Sequence, residues 1–314
     1  MKKRLFIILL ALCLAALFGC SSSLDASPDS SDSASPKPGE SGKGGASAAP
    51  SAVNTGALKV HFIYVGQGDS AFIEFPDGET MLIDAGAAEQ GANVINYISG
   101  LGYNKIDYVV GTHPHTDHIG GLLEVLRTFK VGNIYMPDAS SDIQTYADLM
   151  QLIKDNGIPL TVAQKDVVIK PGFAAILSPV TINTNRKEMN DNSAVVRVTY
   201  GNTNFLFTGD ASKNIEQQLL TGEISADVLK VGNHGSSYAS SPDFIAKVSP
   251  KIAVITCGKN NQYNLPNPAT LKTLQDAGAT IYDTSRDGTV TITSDGTNVS
   301  ADKGTVADVE SELD

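Results

Sequence analysis

Short apolar runs broken by turn residues open the patterned part of the chain. Leu58–Val65, Ser70–Phe75 and Thr80–Asp84 are separated by Gly66-Gln67-Gly68-Asp69 and Pro76-Asp77-Gly78, a pattern that predicts strands joined by tight turns. The period then lengthens. Val94, Ile95, Ile98 and Leu101 recur at helical spacing and predict a helix over 91–101, stopped by Gly102. A buried strand is predicted at Ile106–Gly111, a second helix at Ile119–Phe129, a strand near Ile134 and a helix over 143–154. Leu160–Val162, Val167–Ile169 and Ala174–Leu177 alternate with turns, and Ala194–Tyr200 with Asn204–Phe207 reads as a hairpin turned at Gly201-Asn202. Helices near 212–220, 241–248 and 268–277 alternate with strands Val228–Val231, Ile252–Thr256 and Thr280–Tyr282, and a hairpin over Thr289–Thr293 and Asn298–Ala301 closes the pattern. Two sheets with helices outside them would bury all of these faces.

The ends do not share this pattern. Residues 1–20 carry Lys2, Lys3 and Arg4, an apolar run from Leu5 to Phe18, then Gly19 and Cys20. That is the layout of a signal peptide, and the run is short for a membrane span of roughly 20 residues. Leu17-Phe18-Gly19-Cys20 resembles a bacterial lipobox, which implies lipid on Cys20. An uncleaved anchor is the other reading, and both put the body outside the cytoplasmic membrane. The expected location is the extracellular face of a bacterial membrane, or the medium if Cys20 carries no lipid. Residues 21–56, rich in Ser, Gly, Ala and Pro, have too little apolar surface to fold and are expected to form a disordered tether. The patterned body is expected over 57–301 and an acidic, frayed tail over 302–314.

The 314 residues carry a formal charge of −11, or −14 without the three basic residues at the start. The body alone has 25 acidic and 17 basic side chains, a net charge of −8. A surface of that sign is a poor match for sequence-independent nucleic-acid binding through basic patches. Tryptophan is absent, which excludes a tryptophan-lined stacking platform. Cys257 is the single thiol beyond Cys13 and Cys20, so neither an internal disulfide nor a Cys-rich metal site is available to the body.

Histidine is where the chemistry concentrates. His113, His115 and His118 fall within Thr112-His113-Pro114-His115-Thr116-Asp117-His118, after a strand and at the start of a helix. In an extended loop His113 and His115 project to the same side, while Asp117 and His118 sit where the chain turns. Imidazoles and carboxylates suit zinc and similar divalent metals. Two further ligands stand at strand ends, Asp210 in Thr208-Gly209-Asp210 and His234 in Gly232-Asn233-His234-Gly235-Ser236. His61 lies inside a strand without a motif partner and reads as structural.

H-x-H-x-D-H after a strand is the signature of the metallo-β-lactamase fold superfamily. The chain resembles, more closely, the metallo-hydrolase domain of ComEC-type competence proteins and their stand-alone exported relatives. Val65 to Ser70, Leu82 to Gly86, Thr112 to Gly121, Asn192-Ser193, Thr208 to Asp210 and Leu229 to Ser236 match that family's blocks in order, over roughly residues 58–294. The resemblance implies an α/β protein, an αββα four-layer sandwich with the metal site at one edge of its two sheets. It implies two divalent ions, zinc or manganese, with His113 and His115 on the first and Asp117, His118 and His234 on the second. Asp210 would bridge them, and Asn192 would take the place of a further histidine on the first. Asp84 either orients the histidine loop from behind or caps a turn.

Two departures from the family concern the substrate side. Asn233 stands where the family commonly has histidine, and so does Leu265 in Asn261-Gln262-Tyr263-Asn264-Leu265-Pro266. Lys230, Asn233, Ser236, Ser237 and Tyr263 are the candidates to fill those roles. ComEC-type domains are regarded as nucleases acting on the DNA strand not taken up. The expectation is therefore a metal-dependent hydrolase of phosphodiesters, small or in nucleic acid, using hydroxide generated at the metals, since coordination lowers the pKa of bound water to about 7. Asp117 is the candidate proton acceptor. Ester, lactone or thioester hydrolysis at the same site, or a metal-binding module without turnover, are the alternatives. β-Lactam hydrolysis is disfavoured, and no protein partner can be inferred.

Overall fold

A computed structural model describes residues 56–139, 141–185 and 187–303, all within one compact unit, Ala48–Asp314. The leader, Cys20 and the tether up to residue 55 lie outside the described residues. No helix among those described is long and apolar enough to cross a membrane.

The first half runs β1 (Leu58–Phe62), β2 (Ala71–Glu74), β3 (Thr80–Ile83), α1 (Gly91–Gly100), β4 (Lys105–Val110), α2 (Thr116–Ile119), α3 (Leu122–Thr128), β5 (Lys130–Met136), α4 (Gln144–Asp155) and β6 (Leu160–Val162). The second half runs β7 (Val168–Lys170), β8 (Ala174–Ser178), β9 (Val195–Tyr200), β10 (Thr203–Phe207), α5 (Lys213–Leu219), β11 (Val228–Lys230), α6 (Pro242–Val248), β12 (Ile252–Ile255), α7 (Pro268–Asp276), β13 (Thr280–Asp283), α8 (Thr284–Asp287), β14 (Val290–Ser294) and β15 (Val299–Lys303). One sheet has the order β15-β14-β1-β2-β3-β4-β5-β6 and the other β13-β12-β11-β10-β9-β8-β7.

Both halves follow one plan. An antiparallel meander, β1-β2-β3 or β8-β9-β10, leads into parallel strands, β4-β5-β6 or β11-β12-β13. Side chains two apart along a strand share a face, and here the two faces bury different cores. Leu58, Val60 and Phe62 of β1, Ile73 of β2 and Phe205 and Phe207 of β10 meet between the sheets. Phe72 and Leu82 face outward onto Val94 and Ile98 of α1 and Val125 of α3. Leu206 and Leu229 face outward onto Ile215 of α5 and Phe244 of α6. Helices cover the outer faces, so the four layers are αββα, as expected.

The first strand ends at Phe62, short of Val65, helix α8 was not expected, and two further differences have a visible cause. The helix expected over Ile119–Phe129 is two helices, α2 and α3, broken at Gly120-Gly121. A Cβ on Gly120 would lie 2.5 Å from the Ala88 amide nitrogen, and one on Gly121 2.2 Å from the Ala85 carbonyl oxygen. The two glycines let the loop after β3 press against this turn, and Gly121 N donates to Gly86 O (3.0 Å). Ordered chain also runs past residue 301, where the body was expected to end. Asp302 and Lys303 belong to β15, paired with Thr291 and Val290, and Lys303 Nζ meets Asp287 Oδ1 at 2.9 Å. The rest of the tail lies outside the described residues.

Candidate metal centre

Strands β3, β4, β10, β11 and β12 all lead towards one end of the sandwich. Asp84 follows β3, the histidine loop follows β4, Asp210 follows β10 and His234 follows β11. Asp84 holds the loop from behind, the first of its two expected roles. Its carboxylate accepts from Thr112 N (2.8 Å) and Thr112 Oγ1 (2.7 Å), and from His118 Nδ1 (2.8 Å). Asp84 is fully buried with φ at +57°, a left-handed backbone that aspartate tolerates better than most residues. Burial raises its carboxyl above the ordinary range, with His118 opposing.

The hydrogen bonds behind the ring fix each tautomer. Asp84 can only accept from His118 Nδ1, and the Thr256 carbonyl can only accept from His234 Nδ1 (2.9 Å). Thr112 gives its hydroxyl hydrogen to Asp84, so Oγ1 accepts from His113 Nδ1 (3.1 Å). All three rings therefore turn Nε2 towards the centre.

There the ligand atoms converge. His118 Nε2 and His234 Nε2 each lie 3.4 Å from Asp210 Oδ1, and His234 Nε2 lies 3.4 Å from Asp117 Oδ2. His113 Nε2 is 3.9 Å from Asp210 Oδ2 and 2.9 Å from His115 Nδ1. Oδ1 of Asp210 thus faces His118 and His234 while Oδ2 faces His113, the division that a bridging carboxylate requires. His118 Nε2, His234 Nε2 and Asp210 Oδ1 are fully buried and have no hydrogen-bond partner. Buried polar atoms are rarely left so. Three of them aimed at one point, from a donor set of histidine and aspartate, fit a divalent cation. His113 and His115 with Asp210 form the second such group.

Charge follows the same division. Burial opposes protonation of His118 and His234, but Asp210 and Asp69 outweigh it. His118 is pushed well above its ordinary value and His234 up to about 9. Burial and the His118 charge hold His113 and His115 below theirs. Asp210 and Asp117 stay ionised: burial opposes this, and the charges of His118 and His234 overcome it.

Two expected site residues do other work. Lys230 is not on the substrate side. Its side chain is buried, with Nζ paired to Asp69 Oδ2 and donating to Gly209 O (3.0 Å). Its place in the central strand β11 points it under the site. The Asn192 carboxamide fastens a loop instead of joining the ligands: Oδ1 accepts from Asn183 N (2.7 Å) and Nδ2 donates to Asn183 O (2.9 Å). Its neighbour Ser193 steadies Asp210, accepting from its backbone N (3.1 Å). Asn190, two residues earlier, lines the cavity over the site, and its Oδ1 is buried without a partner.

Asp69 is the residue that sequence reasoning missed. It lies behind both histidines, 3.7 Å from His118 Nδ1 and 3.3 Å from His234 Nδ1, and accepts from Thr256 Oγ1 (2.5 Å). Its backbone N donates to Asp117 O (3.2 Å). The available signal was the Gly66-Gln67-Gly68-Asp69 segment, read as a turn and as part of a block shared with the family, with no role given to Asp69. His61 sits away from the site within β1, where Nε2 meets Glu74 Oε1 (2.8 Å) and Nδ1 meets Tyr97 OH (2.9 Å); its role is structural.

A cavity of about 580 Å³ opens over His115, Asp117, Asp210 and His234. Asn233, Ser236, Ser237, Tyr263 and Leu265 line it as expected, and Tyr238 joins them. Asn233 and His234 both have left-handed backbones, φ +48° and +52°. Asparagine accommodates that conformation readily, histidine less so.

The profile of the Metallo-beta-lactamase superfamily matches residues 63–259. ComE operon protein 3 of Bacillus subtilis (strain 168) is 30% identical over 253 residues, covering 74% of this chain and 32% of that protein. Recombination protein 2 of Haemophilus influenzae is 25% identical over 239 residues, 74% of this chain and 28% of that protein. The chain thus spans about a third of the length of these curated relatives. Among solved structures, the metallo-beta-lactamase fold protein YhfI from Bacillus subtilis is 17% identical, with a TM-score of 0.47, covering 72% of this chain and 95% of that one.

Proposed function

The chain belongs to the metallo-beta-lactamase superfamily as a metal-dependent hydrolase, and from that premise we propose that it cleaves phosphodiesters with two divalent ions, zinc or manganese. The observation that carries the metal half of this reading is the convergence of His118 Nε2, His234 Nε2 and Asp210 Oδ1, buried and unpartnered. His113, His115 and Asp210 would hold one ion, and Asp117, His118, His234 and Asp210 the other. Two such ions would polarise a phosphate oxygen and lower the pKa of bound water. They would also supply the positive charge that a body at −8 lacks.

The chain's own residues do the rest. Asp210 joins the two halves of the site and Asp84 fixes His118. Asp117, the half-buried carboxylate at the cavity floor, is placed to take a proton near the reacting atoms, and its depressed pKa makes it a weak base. Asn233, Ser236 and Ser237 offer neutral hydrogen bonds to a leaving group. Likeness to a protein named for recombination favours a phosphodiester over a carboxylic ester. From the basic start, the apolar run and Gly19-Cys20 we also propose that the domain lies outside the cytoplasmic membrane, held by lipid on Cys20.

The test is turnover of bis-p-nitrophenyl phosphate, p-nitrophenyl acetate and linear DNA by zinc- and manganese-loaded protein. The proposal expects diester turnover that is lost on chelation and in Asp210→Asn. Faster turnover of the acetate would favour an acyl substrate. Two bound metals without any turnover would leave a binding module.

A further inference from the structure

We infer that Tyr238 and Tyr263 form a stacking subsite for an unpaired nucleobase, so that the substrate is a nucleoside-bearing diester gripped by its base as well as by its phosphate. This rests on the phosphodiester reading above. Among the described residues, few large hydrophobic side chains stand exposed, and these two tyrosines are the most open of them, at 76% and 60%. Both line the cavity over the candidate metal ligands. An aromatic side chain left in water beside a reaction centre is unburdened by packing and ready for a planar partner.

Neither tyrosine sits on loose chain. Tyr238 N donates to Ser236 Oγ (3.2 Å), and Tyr238 O accepts from Lys213 N (3.0 Å). The Tyr263 loop is stapled by Asn261. Its Oδ1 accepts from Tyr263 N (3.2 Å) and Leu265 N (3.0 Å), and its Nδ2 donates to Gly258 O (2.9 Å) and Leu265 O (2.8 Å). A rigid backbone presenting an open ring loses little entropy on binding.

The rest of the wall fits the same ligand. The described residues lining the cavity include no lysine or arginine, but include the carboxamides of Gln67, Asn190 and Asn233. A cavity of this kind, in a body at −8, has little to offer additional phosphates along a polymer. It has flat rings and amides to offer a base, the combination by which unpaired bases are read. Asn190 lines the same wall, and its Oδ1, closed to solvent and without a partner, becomes an acceptor for the exocyclic amino or ring N–H group of such a base once the side chain turns into the cavity. A paired base has its faces covered by its neighbours, so the subsite selects single strands or small nucleotides over duplex.

The experiment compares two esters with one leaving group, the p-nitrophenyl ester of thymidine 5′-monophosphate and methyl p-nitrophenyl phosphate, on zinc-loaded protein. It is paired with calorimetric binding of thymidine 5′-monophosphate against methyl phosphate. The base-bearing member of each pair should be preferred by at least tenfold. Tyr263→Ala and Tyr238→Ala should each lower that preference by about 5- to 150-fold, the range found for one stacked base, mostly through KM. Phenylalanine at either position should retain it within about twofold, since stacking needs the ring and not the hydroxyl. Equal preference in wild type and alanine variants, or none in wild type, overturns the subsite even if both esters are hydrolysed. A binding preference for the nucleotide that is lost in the alanine variants upholds the subsite even if neither ester turns over, and in that case it is the hydrolytic reading that fails.

Discussion

Metal uptake should depend on pH at one half of the centre and not at the other. His118 and His234 point Nε2 at Asp210 and hold protons there in the metal-free protein, His234 with its pKa up to about 9. An ion entering that half must displace them. At pH 7 the proton on His234 alone weakens binding by about 100-fold, or about 2.7 kcal/mol, since each pH unit below the pKa costs about 1.4 kcal/mol. His113 and His115 lie below their ordinary value and are neutral at pH 7, so the other half exacts no such cost. The prediction is sequential loading. A first zinc binds with an affinity nearly flat from pH 6.5 to 8. A second gains about 10- to 100-fold per pH unit and releases between one and two protons. The slope falls below two protons because the first ion depresses both histidines.

Calorimetric zinc titration of metal-free protein at pH 6, 7 and 8, in two buffers of different protonation heat, counts the protons directly. The same protons affect stability with the opposite sign. A histidine whose pKa rises on folding stabilises the fold fully below its unfolded value of about 6.5, and that stabilisation is lost as pH rises through about 9. For His234 it is about 3 kcal/mol. The metal-free protein should therefore melt at lower temperature at pH 9.5 than at pH 6.5, and the difference should shrink in His234→Ala. Two zinc equivalents with the same pH slope, or uptake without proton release, would refute this account of the charge in the site.

Lys230→Met removes the counter-ion of the buried Asp69 and should cost about 3–5 kcal/mol in urea unfolding; a loss under about 1 kcal/mol would mean that Asp69 is balanced by other groups. Gly121→Val drives a side chain into the Ala85 carbonyl and should cost more than about 2 kcal/mol. Gly100→Ala, at the end of α1 with nothing within 4 Å, should be neutral or stabilising by up to about 1 kcal/mol; equal losses in both would show that the helix break does not depend on close approach. Asn233→His, alone or with Leu265→His, restores the family pattern in the cavity wall. It should raise cleavage of DNA while costing about 1–2 kcal/mol for the left-handed backbone at 233, and unchanged kcat/KM on DNA would remove these positions from the substrate side.

The parts of this molecule legible in its sequence are those whose signal is local. Alternation in β1, β2 and β10 declares the two faces of each sheet, because successive side chains must point opposite ways. His113, His115, Asp117 and His118 declare themselves by spacing. Asp210 and His234 stand out because each follows a strand and a glycine lies beside it. What escaped takes its role from distant parts of the chain. Asp69 acquires its meaning from Thr256, 187 residues away, and from Lys230, which sequence reasoning put on the substrate side although it stands in a central strand. The break at Gly120-Gly121 follows from the backbone of Ala85 to Ala88 pressing on it, a contact that helical periodicity cannot register. Asn192 resembles a ligand by position, yet the 183–192 loop turns its amide inward and leaves Asn190 facing the cavity.

We propose that one end of this sandwich holds two metal ions, joined by Asp210. Anomalous diffraction at the zinc edge from zinc-loaded crystals tests it most directly. The account predicts two peaks per chain, one among His113, His115 and Asp210 and one among Asp117, His118, His234 and Asp210, with the second lost in His234→Ala. A single peak at full zinc occupancy, or zinc bound away from Asp210, would contradict it.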